Sequence, residues 1–269
     1  MKELKINEVA SMLRLSADSI RFYEKKGIIH PERQSDNHYR KYSMDDIRTL
    51  YDSRIFLNMG FTLAEIVEIF SDYSEEDICR HLREKRKVIT EERRREEMAL
   101  YKIDRLLEAA ELRRQRAGRF TIGLTPELYL CAYADGGELV RGNIESPYFT
   151  QVMDNHNLFD CAVVIPERQS AEPIENQSRF GFTINAALAA RYGIDLGPIA
   201  EKRPPVMAVH TVLETSGVIN AQGLVPVYAW MKAHCFEPAG DILGRMAMVR
   251  HEKGQEQRVY ELWVPVRED

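Results

Sequence analysis

Over about the first seventy residues, apolar positions fall at helical spacing in short runs that turn signals interrupt. Ile6, Val9, Ala10 and Leu13 share one face of a predicted helix. Leu15-Ser16 follows as a turn with an N-cap candidate. The segment ADSIRFYEKK then predicts a second helix, which Gly27 is placed to end. Two short helices joined by a tight turn make a helix-turn-helix pattern. The next stretch, IIHPERQSDNHYRKYS, is too rich in turn residues for a helix. It predicts a two-stranded wing with its tip near Ser35-Asp36-Asn37. Helical patterning resumes behind Ser43, an N-cap followed by Asp45 and Asp46, breaks at Gly60, and restarts behind Thr62.

From about Glu75 to Arg116 there is neither Pro nor Gly, and charged residues dominate. Ile78, Leu82, Val88, Ile89, Met98, Ile103, Leu106, Leu107 and Ala110 form a stripe too narrow for a globular core but suited to a two-stranded coiled coil. The apolar-free TEERRREE breaks any strict heptad, and a single solvated helix is the alternative. A helix of roughly 60 Å, at 1.5 Å per residue, needs a partner to be stable, which favours a homodimer.

Residues 119–269 differ in kind. Charge density falls, Pro and Gly rise, and strand-like runs appear as LYLCAYA, CAVVIP, RFGFTI, VMAVHTVL, RMAMVR and VYELWVPV. The amphipathic segments SPYFTQVMDNHNLF and PVYAWMKAHCF lie between them, which predicts an α+β domain. The order of pieces repeats as β-α-β-β with an offset near 78–85 residues, a match of pattern without identity. The expected architecture is multidomain. An all-α winged helix-turn-helix occupies 1–74, an antiparallel coiled-coil dimerisation helix 75–118, and an α+β domain built as a double βαββ repeat 119–269.

Composition narrows the classes. At 269 residues and 44% hydrophobic, the chain can build ordinary cores. No run approaches a membrane span, and the start of the chain has no signal-peptide pattern, so a cytoplasmic protein with no membrane partner is expected. A net charge of −5 does not exclude DNA binding, because phosphate contact needs only a local basic surface. Cys79, Cys131, Cys161 and Cys235 lie far apart without a CxxC, which favours small buried hydrophobes over a metal or redox site. No cofactor is implied.

The densest chemistry lies between Arg14 and Tyr42. Arg21, Phe22, Tyr23, Glu24, Lys25 and Lys26 are followed by Arg33, Tyr39, Arg40, Lys41 and Tyr42. Arg14, Arg21 and Lys25 can face one groove, where an arginine offers paired donors to a guanine edge or a phosphate. Tyr hydroxyls in the wing suit phosphate contact. Phe22, Ile20, Ile28 and Ile29 read as core, and Tyr23 reads equally as half core. Over residues 4–70, SIRFYEKKGIIHPERQSDNHYRKYS followed by DIRTLYDSRIFLNMGFTLAEIVEIF resembles the MerR family of bacterial regulators. By motif, the resemblance makes Arg21 and Tyr23 recognition-helix contacts and Tyr39, Arg40 and Tyr42 wing contacts, with Arg14, Ser16, Lys25 and Arg33 completing the expected DNA-binding set. It departs at the inter-helix turn, where the family often has Gly and this chain has Leu13-Arg14-Leu15. The resemblance also implies dimers on double-stranded promoter DNA, bending and untwisting a long spacer for RNA polymerase on the same promoter.

In that family the region after the coiled coil determines the signal. Residues 80–130 contain no Cys, Cys79 lacks partners, and His156, His210, His234 and His251 show no ligand spacing, so a metal sensor is not expected. The last third resembles the GyrI-like effector-binding domain of multidrug-sensing members, most clearly in YELWVPV. Glu261 and Trp263 share a strand face, and a carboxylate beside an indole would hold a lipophilic cation. The alternative ties Glu261 to backbone amides or an Arg, with Trp263 in the core. Phe182, the counterpart of Glu261 at an offset of 79 residues, joins Tyr148, Phe149 and Trp230 as further ligand candidates, gathered by a cleft between the halves. The expected effector is an aromatic or cationic small molecule, and the protein is not expected to be an enzyme. Two other readings compete. One is a hydrolase with Glu261 as general base and a Tyr assisting. The other is an architectural protein with no effector.

Overall fold

The computed structural model describes residues 4–33, 39–167, 173–252 and 254–268. Compactness divides the chain into Met1–Arg94 and Arg95–Asp269.

The first unit is helical apart from a small wing. Helix α1 (Ile6–Leu13) and α2 (Ala17–Lys25) form the helix-turn-helix; β1 (Glu32–Arg33) and β2 (Arg40–Lys41) pair antiparallel as the wing. The expected wing tip at Ser35-Asp36-Asn37 lies outside the described residues. Helices α3 (Met44–Asn58) and α4 (Leu63–Ser71) follow, and α5 (Glu75–Arg116) begins here. Local chemistry sets the helix starts. Ser16 caps α2 by accepting from the Ser19 N–H at 2.9 Å, and Ser43 with Asp46 and Thr62 with Glu65 form capping boxes on α3 and α4. The buried Asp46 carboxylate also accepts from the His30 N–H at 2.9 Å, fastening the chain between α2 and the wing to α3. Val9, Ile20, Ile29, Leu50, Phe61 and Ile66 form the core.

The inter-helix turn, where a glycine was the more usual expectation, holds Arg14 at φ 50° in the left-handed region. Its carbonyl accepts from Arg54 Nη1 at 2.5 Å, which fixes the turn against α3.

The second unit contains the rest of α5 and a ten-stranded sheet. Its elements are β3 (Thr121–Leu124), β4 (Leu128–Asp135), β5 (Glu138–Leu139), α6 (Arg141–Ile144), α7 (Pro147–Asp154), β6 (Asp160–Ile165), β7 (Arg179–Asn185), α8 (Ala186–Tyr192), β8 (Ala200–Arg203), β9 (Met207–Thr215), α9 (Ala221–Ala233), β10 (Phe236–Pro238), β11 (Ile242–Glu252) and β12 (Gln255–Glu268). All six strand-like runs of the sequence are strands; β3, β5, β8, β10, α6 and α8 are additions that the pattern did not reveal. The main path runs β3-β9-β12-β11-β6-β7-β4-β5. Outward from the central β6–β11 pair it reads β7, β4 on one side and β12, β9 on the other.

Strand alternation assigns the two faces. Val163, Tyr260 and Leu262 pack with α9 through Leu224, Val227 and Met231. Phe182 packs with Val152 and Phe149 of α7. Cys161 is opposite Phe182 and two residues from Val163, so α7 and α9 cover the same face. Leu128, Leu130, Ala162, Val164, Ala208, Leu243 and Trp263 cluster on the other.

A non-glycine residue held left-handed costs about 1–2 kcal/mol. Arg14→Gly is therefore expected to raise the unfolding free energy of the N-terminal unit by about 1 kcal/mol, less the entropy that glycine adds to the unfolded chain. Urea unfolding followed by helical circular dichroism checks this; a loss of stability would contradict it.

Candidate functional site

The basic surface follows from helical spacing. Ile20 and Tyr23, three apart on α2, turn inward together, whereas Arg21 and Lys25, four apart, are both exposed. Arg21 Nη1 bonds Asp18 Oδ1 at 2.8 Å, an open ion pair that a phosphate can replace at little cost. Arg14, Arg33 and Tyr39 are exposed as well. Arg40 on the wing donates from Nε to both Glu24 carboxylate oxygens, at 2.6 and 2.9 Å, and Arg33 Nη2 lies 3.9 Å from the same carboxylate. Glu24 thereby fastens the wing to the recognition helix.

Two expected contacts are corrected. Tyr23 and Tyr42 are 0% and 1% exposed and belong to the core, and burial pushes both phenols above their ordinary range. The Tyr42 backbone pairs with Leu4, its N–H reaching the Leu4 carbonyl at 2.9 Å, which draws the residue under the wing. Ser16 is exposed, and its oxygen caps α2 by accepting from the Ser19 N–H.

In the second unit, Glu261 and Trp263 share a face as expected, but the cation beside them is the protein's own. Arg245 lies directly across from Glu261 on β11 and donates to Glu261 Oε2 from Nε at 3.0 Å and also from Nη2. Its guanidinium sits 5.1 Å from the Trp263 ring centroid. From α5, Arg105 Nη2 approaches Glu261 Oε2 at 3.5 Å. His210 stacks on Trp263 with centroids 5.0 Å apart, its Nε2 3.9 Å from Glu261 Oε1. Arg245 Nε is also 3.7 Å from Asp160 Oδ2, and Asp160 Oδ1 accepts from Lys102 Nζ at 2.7 Å. The structure favours the alternative reading of a Glu tied to an Arg, with Trp263 in the core. A general base needs a free carboxylate facing a substrate. Glu261 is 5% exposed, bound by guanidinium groups, and on the face away from α7 and α9.

Of the remaining ligand candidates, Tyr148, Phe149 and Phe182 pack against one core cluster, and Trp230 packs against another. Phe182 lies 6.1 Å from Phe149. Tyr148 packs over Gly197, where a Cβ would come within 2.6 Å of its ring. Trp230 stacks on His234 at 4.0 Å and Phe120 at 5.4 Å, away from the others. Phe182 and Glu261 are on opposite faces, so the face-matched counterpart of Phe182 is Tyr260.

Two adjoining cavities lie on the helix-covered face. One, of about 310 Å³, is lined by Lys102 and Leu106 of α5, Met153, Phe159, Phe182 and Met248 among others. The second, of about 480 Å³, is lined by Tyr133, Val163, Phe180, Arg258 and Tyr260 among others. Cys161, Met246 and Val249 line both. Burial pushes the Cys161 thiol up, and Cys131 deeper in the core up to about 11, so both stay protonated. Among the described residues no three metal-ligating side chains cluster, and no helix is long and apolar enough to cross a membrane. Sequence reasoning missed most of these lining residues, and the register shift between Met246 and Met248 breaks the alternation that would have grouped them.

A helix-turn-helix with a short wing and an exposed basic recognition helix defines a DNA-binding class of domain. Residues 4–73 match the family model of MerR HTH family regulatory proteins, and the N-terminal domain is a MerR-family helix-turn-helix domain. The HTH-type transcriptional regulator CueR of Escherichia coli O6:H1 is 36% identical over 72 residues, 26% of this chain and 53% of CueR. The HTH-type transcriptional regulator AdhR of Bacillus subtilis is 27% identical over 92 residues, 34% of this chain and 64% of AdhR. The chain thus spans about half the length of the first curated relatives it matches. Among solved structures, the cryo-EM structure of an EcmrR–DNA complex aligns with 99% of this chain and 100% of its own at 17% identity and a TM-score of 0.36.

Two outcomes are expected. Glu261→Ala strips the buried Arg245 of its hydrogen-bonded carboxylate, leaving only Asp160 at 3.7 Å, and should cost about 3 kcal/mol in unfolding free energy, measured by urea titration. The pKa of His210 is lowered chiefly by burial and also by Arg116 and Arg245, against the opposing pull of Glu261. As pH falls through about 6.5, the unfolded chain takes up the proton first and stability declines. His210→Phe, which keeps the ring stack, should flatten that decline between neutral pH and about pH 5; an unchanged slope would reject the assignment.

Proposed function

We propose that this protein is a dimeric, cytoplasmic DNA-binding transcription regulator that distorts promoter DNA in response to a small ligand held in its C-terminal domain. The observation that carries the reading is the exposed basic face of α2, Arg21 and Lys25, in a MerR-family helix-turn-helix domain with Arg33 and Tyr39 on the adjoining wing. The contact set is Arg14, Arg21, Lys25, Arg33, Tyr39 and Arg40, with Arg40 exchanging Glu24 for phosphate. RNA polymerase on the same promoter is the partner on which the distortion acts.

Dimerisation is supported by α5, which leaves Val88, Ile89, Leu100, Ile103 and Leu107 exposed on an otherwise charged helix. Burying that stripe against a second copy in an antiparallel coiled coil removes it from water. The effector domain is read as a double βαββ repeat, β4-α7-β6-β7 and β9-α9-β11-β12. Its support is the strand order, which is mirrored about the β6–β11 pair. The ligand site moves from Glu261 to the adjoining cavities, where Phe182 is retained from the expected set and a ligand with an aromatic or apolar body is accommodated.

The test is selection of binding sites from a randomised duplex library with the full-length protein, followed by fluorescence anisotropy on the selected duplex. A two-fold symmetric site is expected, since half-site symmetry mirrors a dimer. Arg21→Ala should weaken binding by at least about tenfold and reduce the salt slope by about one unit. Recovery of no enriched sequence, or an Arg21→Ala protein that binds like wild type, would refute the reading.

A further inference from the structure

The two cavities differ in chemistry, and the difference points to the charge of what they hold. The compartment of about 310 Å³ is apolar, with Met153, Phe159, Phe182, Met246 and Met248 around it. Met side chains fill irregular space and make favourable contacts with aromatic rings, so this compartment tolerates varied apolar shapes. The compartment of about 480 Å³ is polar on one side, where Arg258 and Tyr260 on β12 face Tyr133 on β4. Cys161, Met246 and Val249 belong to both, so one ligand can span them. Each volume falls within the usual size range of small-molecule sites.

Carboxylates within reach are already committed. Asp160 is bound to Lys102 at 2.7 Å, and Glu261 lies on the opposite face. Glu256, two residues from Arg258 on the same strand, pairs with it through Nε–Oε1 at 2.5 Å. That pair is about a third or more exposed on both sides, so breaking it costs little. Burial pushes the Tyr133 and Tyr260 phenols up, partly offset by the nearby Arg258 guanidinium, so both remain neutral hydroxyl donors at neutral pH. An entering cation would meet a guanidinium and find its natural counter-ion occupied. An entering carboxylate would replace Glu256 and gain charge-assisted bonds.

We infer that the joined cavities bind an amphipathic organic acid, its apolar body among the methionines and phenylalanines and its carboxylate on Arg258 between Tyr133 and Tyr260. This rests on the reading of the C-terminal domain as the effector-binding domain, and it replaces a lipophilic cation with an anion as the ligand class.

Three probes of one shape separate the possibilities: 2-naphthylacetic acid, 2-naphthylacetamide and 2-(2-naphthyl)ethylammonium. Their dissociation constants for the full-length protein are measured by isothermal titration calorimetry. The acid is expected to bind at least about tenfold more tightly than either of the others. Arg258→Gln should remove that preference, weakening the acid while leaving the amide unchanged. Arg258→Lys should restore part of it, and unaltered thermal unfolding of both variants shows that the fold is intact. Met246→Glu, which places a charge in the wall common to both compartments, should abolish binding of the acid. Equal or tighter binding of the ammonium probe, no binding by any probe, or an acid affinity indifferent to Arg258→Gln would overturn the proposal. Anisotropy for affinity and end-to-end energy transfer for bending, both on the selected duplex with and without the acid, distinguish the two levels. Acid binding that leaves DNA affinity and promoter bending untouched supports the ligand class and defeats the regulatory reading. Ammonium binding that alters them does the reverse.

Discussion

The C-terminal unit depends on one buried ion pair, Arg245 with Glu261. The two residues are opposite one another on β11 and β12, near the middle of the sheet, and each is largely shut off from water. Neither could be buried alone, because an uncompensated charge in that position costs several kcal/mol. The pair also extends beyond itself. Asp160 on β6 and Arg105 on α5 complete its electrostatics, and Trp263 covers the guanidinium. Shifting β12 by one residue would turn Glu261 to the helix-covered face and Tyr260 away from it. The ion pair therefore fixes register as well as partner.

Register in turn decides where the cavities lie. With Arg245 and Glu261 committed to one face, their chain neighbours Met246 and Tyr260 face the other and become walls of the cavities. The irregularity in the β11–β12 pairing between Met246 and Met248 brings a stretch of β11 into both lining sets. The charges that resemble a ligand site in the sequence thus act as scaffold, and the proposed ligand space lies on the reverse side of the same residues' backbone.

How far the sequence discloses this depends on whether the determining contact is local. In the N-terminal domain the caps at Ser16, Ser43 and Thr62 act within one helical turn, so the helix starts can be read directly. Arg14 is harder, since its left-handed backbone is held by a carbonyl bond to Arg54, forty positions away. Interleaved basic and aromatic residues indicate a polyanion surface but do not say which aromatics turn inward; the spacing of Ile20 and Tyr23 does. In the sheet, alternation correctly groups Glu261 with Trp263. It cannot say which face carries the helices, nor that Arg245 on a different strand already supplies the cation. The pairing of Phe182 with Glu261 fails for the same reason, because an offset one residue out exchanges faces. Strand β3 was missed because four residues containing Gly123 carry too short a pattern.

The same helical turn of α5 meets both sides of this arrangement. Lys102 and Leu106 line the apolar compartment, while Lys102 and Arg105 satisfy Asp160 and Glu261 in the ion network. A ligand body pressed against Leu106 thus bears on the turn that the buried charges hold in place. Moving α5 away would take the Lys102 bond from Asp160 and the second guanidinium from Glu261, leaving both carboxylates to Arg245 alone. A change in cavity occupancy is therefore met either by the side chains lining it or by the helix and its ion network together. The proposed ligand would thereby have a physical route to α5, the helix whose exposed apolar stripe is the proposed dimer contact.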